Sequence, residues 1–262
     1  MSPRVLLPIL LVLGFAGTAV GDDAEDREWQ HVREALFTAL PDSTYDGDRV
    51  TRWVDQPVVL LLGATDDDRA FVADMINDFN RLLGPVAIRI EDDDKDAANI
   101  GILIASSRMF PALANRHGMQ ASIATRGAGY TEITIRPDHA AQVSVSLIMD
   151  ELKGGERKAT LVHELYHAMG PSGHSRLFPD SVIFQNRQAT SRVTQLAPID
   201  IKLLALLYYH LSPGDTEADV RAAFDEHWRD LDEFVEPTVK CQCRRERRGP
   251  LKAKPDEGAP ES

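Results

Sequence analysis

The chain has 262 residues, 43% of them hydrophobic and 27% charged, with a formal net charge of −12. Acidity of that size keeps a protein soluble and argues against nucleic acid as a partner. With an amino-terminal leader and a carboxy-terminal tail set aside, roughly 220 residues remain, enough for one substantial core.

Arg4 precedes an apolar run from Val5 to Ala19, and Ala19-Val20-Gly21 supplies the small residues a signal peptidase needs before Asp22. About fifteen apolar residues are too few for the roughly twenty that span a bilayer. No cysteine stands at the cleavage point, which argues against a lipoprotein. Residues 1–21 are therefore expected to be a signal peptide, and the mature protein to be exported, secreted or periplasmic, without a stable membrane anchor. Removing them takes the formal charge from −12 to −13.

Residues 22–50 contain an amphipathic stretch from Trp29 to Leu40, read either as a helix packing on the sheet or as part of a propeptide. A cysteine-switch propeptide is excluded, because no cysteine lies upstream of residue 241. The main domain is expected over 51–236. Val58 to Leu62 is a continuous apolar run suited to a strand buried on both faces. Phe71, Met75, Ile76, Phe79, Leu82 and Leu83 recur at helical spacing over 66–83, with Asp66-Asp67-Asp68 as the helix start and Gly84 as the stop. Val86, Ile88 and Ile90 alternate as a second strand, and Glu91-Asp92-Asp93-Asp94 reads as a solvated turn, with calcium binding as the alternative. Ile100 to Ile104, Tyr130 to Ile135 and Val143 to Ile148 are further strands, the last expected at the edge that receives substrate.

The segment Ala159 to Gly170 sets His163, Glu164 and His167, spaced HExxH, into a stretch of apolar helix formers. Positions i and i+4 share a helix face, so both imidazoles can address one ion about 2.0–2.1 Å away. Glu164 beside them can take a proton from metal-bound water as a general base. Leu161, Leu165 and Ala168 on one side and Val162, Tyr166 and Met169 on another bury the helix nearly all round. Burying His-Glu-His there without partners is costly, and a cation is a partner for all three. Gly170 can turn the chain back sharply, bringing His174 of Gly-Pro-Ser-Gly-His as a third ligand. His31, His117, His139, His210 and His227 have no ligand spacing and read as structural or surface histidines.

At this point the sequence resembles the metzincin metallopeptidases, whose motif is HExxH, two residues, Gly and a third His or Asp. Three residues, Pro171, Ser172 and Gly173, separate Gly170 from His174 here, one more than is usual in that family. Asp180 to Phe184 is similar to the segment that forms the methionine turn beneath the zinc, with Ile183 at the methionine position, and Leu196 to Tyr208 to the closing helix. The chain also resembles a family of secreted bacterial domains of unknown function. That likeness lies in Arg52-Trp53, Gly170, Ser181 to Phe184 and Pro198 to Tyr208. Together the two resemblances imply an α+β, metzincin-like (zincin) fold: a twisted mixed sheet with a backing helix and an active-site helix, then a smaller helical C-terminal subdomain. They imply Zn²⁺ on His163, His167 and His174, Glu164 as catalytic base, and a peptide or protein substrate.

After Pro237 the composition changes: Cys241-Gln242-Cys243 is followed by Arg244-Arg245-Glu246-Arg247-Arg248, and 237–262 reads as a disordered basic tail. Three rival readings stand beside the peptidase. They are a gluzincin-type enzyme with Asp180 as third ligand, a non-catalytic secreted binding module with a vestigial or structural zinc, and a scaffold acting through the basic tail.

Overall fold

A computed structural model describes residues 22–37, 47–84, 86–91, 97–119, 127–186 and 190–248. The expected signal peptide, Asp92 to Asp94 of the acidic turn, and the tail beyond residue 248 lie outside them. Five strands form one mixed sheet: β1 (Val58–Leu62), β2 (Arg89–Glu91), β3 (Ile100–Ala105), β4 (Gly129–Ile135) and β5 (Ala141–Met149), in the order β2-β1-β3-β5-β4. All neighbours are parallel except β4, which runs antiparallel to β5 and closes one edge.

Two-residue periodicity divides the core between the faces of the sheet. Ile100, Ile102, Ile104 and Ile148 enter the main core, whereas Leu103, Val145 and Leu147 pack with Phe110 and Ala114 of the short helix α3 (Phe110–Arg116) on the other face. The main core also holds α1 (Asp22–Phe37), α2 (Asp66–Phe79), α4 (Gly154–Ala168) and α5 (Pro198–Tyr209). Thr65 caps α2 in a capping box with Asp68, the last of the acidic triplet. Asp68 also pairs with the buried Arg157 at 3.1 Å, fixing the start of α4 against the start of α2. The chain is thus α+β, with a mixed sheet and helices.

Three expectations need correction. β5 lies inside the sheet, between β3 and β4, and the edge strands are β2 and β4. The Val-Ser alternation of β5 looks half-solvated, yet Ser144 and Ser146 are fully buried. The second strand is shorter than its apolar alternation predicts: before Arg89 the backbone N–H and C=O of Ile88 bond the side chain of Asn80, at 2.6 and 3.1 Å, instead of a neighbouring strand. The stretch from Asp22 to Phe37 needs none: it is a helix, one of the two readings its amphipathic pattern allowed, with Val32, Ala35 and Leu36 in the core. Finally, the segment from Pro237 is helical to Arg248 as part of α7 (Asp232–Arg248), which follows α6 (Glu217–His227). Its Phe234, Val235 and Val239 pack on the core and Thr238 and Gln242 are buried, so apolar spacing overrides the charged composition.

His31 of α1 is fully buried, with Phe178 edge-on at 5.2 Å and neither ring nitrogen bonded. Burial lowers its pKa to about 4. The unfolded chain then holds more protons between the ordinary histidine value and about 4, so stability is fully present above pH ~6.5 and is lost as pH falls through that window. The loss attributable to His31 is roughly 3 kcal/mol. Denaturant unfolding of wild type and His31→Leu at pH 7 and pH 4.5 should show a smaller acid loss in the variant.

Candidate metal centre

The third and fourth turns of α4 carry His163, Glu164 and His167, and the chain then reverses. Two carbonyls left over at the helix end are bonded by side chains: Trp53 Nε1 donates to Ala168 O at 2.8 Å and Tyr208 Oη to Met169 O at 2.8 Å. Gly170 has φ +126°, and a Cβ there would stand 2.3 Å from Thr51 O, so the reversal requires glycine. Gly173 N then donates to Ala35 O of α1 at 2.9 Å, and Ser175 bridges to Phe184. His174 lies between these two anchors. The additional residue in the loop is taken up by this path.

Three imidazoles converge. His163 Nε2 lies 3.1 Å from His167 Nε2 and 3.1 Å from His174 Nε2, and the last two are 3.3 Å apart. The opposite nitrogens are occupied: His163 Nδ1 donates to Val182 O and His167 Nδ1 to Pro171 O, each at 2.6 Å. A carbonyl only accepts, so both Nδ1 atoms carry the proton, and in neutral rings both Nε2 atoms are bare acceptors. Two acceptors facing at 3.1 Å have no proton to share and repel unless a cation lies between them. Burial and the neighbouring histidines drive His167 well below the ordinary value and His174 to about 3, toward the neutral form that ligates. Ligands about 2.0–2.1 Å from a tetrahedral ion lie about 3.4 Å apart, close to these separations. The donor set therefore fits a metal ion such as zinc, and among the described residues it is the one cluster of its kind.

Glu164 is buried and turned toward the sheet, where Thr131 Oγ1 donates to its Oε2 at 2.6 Å. Burial raises its pKa, against the opposing effects of His163 and the Thr131 hydrogen bond. The cluster opens on a cleft of about 270 Å³, lined by Gly129 to Ile133 of β4 and by small or hydroxyl-bearing residues including Thr51, Thr160, Ser172 and Ser191.

Asp200, in the first turn of α5, supports the centre from behind. Its fully buried carboxylate accepts from Ser181 Oγ at 2.6 Å, Ala197 N at 2.9 Å and Val182 N at 3.0 Å. It thereby caps α5 and holds the peptide whose carbonyl orients His163. Burial pushes it up to about 7 despite three donors. Ile183 is fully buried in the same segment. Asp180 is exposed and outside the histidine cluster, which removes the residue basis of the gluzincin alternative. Cys241 and Cys243 lie on α7 and are in no disulfide among the described residues.

Fold and site together define an α+β protein in which one helix and the reversal after it bring three histidines together beside a buried glutamate. The sequence pattern of the family described as "Protein of unknown function (DUF2927)" matches residues 14–226, and the chain belongs to that family. No curated protein matches it.

Asp200→Ala strands three buried donors and uncaps α5, and should cost about 3 kcal/mol in denaturant unfolding. A loss no larger than that of an exposed substitution would show that the network carries no stability.

Proposed function

We propose that this chain is an exported zinc peptidase of the metzincin type, with His163, His167 and His174 as ligands and Glu164 as general base. The observation that carries the reading is the facing pair of unprotonated Nε2 atoms at 3.1 Å, completed by His174 and flanked by a buried carboxylate. When bound, zinc lowers the pKa of a water toward roughly 7 and polarises a carbonyl oxygen.

The chain's own residues supply the rest. Val182 O and Pro171 O lock the two helical imidazoles in the tautomer that presents Nε2. Glu164 accepts the proton of the attacking water on a carboxylate oxygen and passes it to the leaving amine nitrogen. Among the described residues β4 lies at an edge of the sheet beside β5, and its residues Gly129 to Ile133 line the cleft, so an extended peptide can add along it by backbone hydrogen bonds. An exported protein fits the leader-like residues 1–21, and none of the described helices is long and apolar enough to cross a membrane.

Metal analysis by mass spectrometry on the purified chain should find one zinc in wild type, none in His163→Ala, and one in Glu164→Ala. On a peptide library, Glu164→Ala should lose at least about 100-fold in rate. Wild type without zinc after refolding in zinc overturns the metal centre. Retained turnover in Glu164→Ala overturns the assignment of the base. Zinc without hydrolysis favours a binding module with a structural ion.

A further inference from the structure

The side chain of Glu164 is held by contacts that nothing in the HExxH motif specifies. Thr131, in the middle of the edge strand β4, places Oγ1 2.6 Å from Glu164 Oε2, and the same Oγ1 lies 2.7 Å from Ser146 Oγ on β5. An ionised carboxylate only accepts, so the single Thr131 proton goes to Glu164, and the Ser146 hydroxyl donates to Thr131. Ser146 is fully buried, so no solvent competes at its end of the relay. The other carboxylate oxygen has room because residue 129 is glycine: a Cβ there would stand 2.5 Å from Glu164 Oε1. Residues 129 and 131 lie two apart on one strand and so face α4 together. One supplies a donor and the other a gap.

We infer that Thr131 is a positioning residue for Glu164, fixing the carboxylate through Oε2 and leaving Oε1 free to exchange protons, with Ser146 orienting the threonine hydroxyl and Gly129 providing the space. The inference rests on the peptidase reading for the role of Glu164. A charge-assisted hydrogen bond of this kind sets the carboxylate torsion, and small misplacements of a reacting group cost large factors in rate. The contact links the substrate edge to the catalytic helix: whatever displaces β4 displaces the base.

The test uses the full mature chain and four variants: Thr131→Val, Thr131→Ser, Glu164→Leu and the Thr131→Val/Glu164→Leu pair. Thr131→Val keeps shape and removes the hydroxyl; Thr131→Ser keeps the hydroxyl. Thr131→Val should lower kcat on a peptide substrate by roughly 10- to 100-fold with KM and zinc affinity within about twofold, and Thr131→Ser should recover most of that rate. Independently of turnover, thermal unfolding of the zinc-free protein should show Thr131→Val lowering Tm by roughly 3–8 °C in the Glu164 background, and by much less beside Glu164→Leu. Unchanged kcat in Thr131→Val overturns the inference, as does zinc loss in that variant or a Thr131→Ser rate as low as that of valine. Equal Tm losses in the two backgrounds also overturn it. Absence of hydrolysis by wild type sinks the peptidase reading instead, and the thermal cycle still accepts or rejects the contact.

Discussion

Helix α4 must bury two imidazoles and a carboxylate on a rod that is apolar around most of its circumference, and the rest of the structure answers that demand. Polar atoms in such a place need partners, since each one left bare costs about 1–3 kcal/mol. Both Nδ1 atoms and one carboxylate oxygen of this helix have partners, whereas the Nε2 atoms face inward. His163 and His167 place Nδ1 on backbone carbonyls, and Glu164 takes a hydroxyl from β4. What remains is a set of nitrogens pointed at one another, and their complement is a cation.

Those partners come from distant parts of the chain, which makes the site a property of the whole fold. Val182 O is held by Asp200 through the adjoining N–H, and Asp200 begins α5. Ala35 of α1 anchors the loop that carries His174, through Gly173 N. Trp53 and Tyr208 bond the terminal carbonyls of α4, and the Gly170 reversal fits only because no side chain lies between it and Thr51. The amino-terminal helix is accordingly part of the scaffold of the third histidine. Its burial of Val32, Ala35 and Leu36 fits that role better than that of a detachable segment.

The cleft is asymmetric in a chemically useful way. One wall is β4 from Gly129 to Ile133; another is the α4 face with its histidines and glutamate. The absence of a side chain at Gly129 lets the two approach closely enough for the glutamate to touch the strand. A ligand that recognised β4 by backbone pairing would lie along the base and the three imidazoles at once.

By itself the sequence determined the features that depend on local spacing. Four-residue separation fixed His163 and His167 on one helix face, the Thr65 to Asp68 capping box matches the expected start of α2, and the apolar run of Val58 to Leu61 became a strand buried on both faces. The glycine reversal that returns His174 was legible for the same reason, because the φ of +126° at Gly170 is one that a residue with a Cβ rarely adopts. Only the tertiary structure decided which strand is the edge, because the buried serines of β5 mimic a solvated face. It alone decided that α7 continues past Pro237, because burial of Val239 and Gln242 outweighs the charge around them. It alone brought Thr131, Ser146 and Asp200 to the site, because hydrogen bonds between residues 15 to 33 positions apart leave no periodicity in the chain.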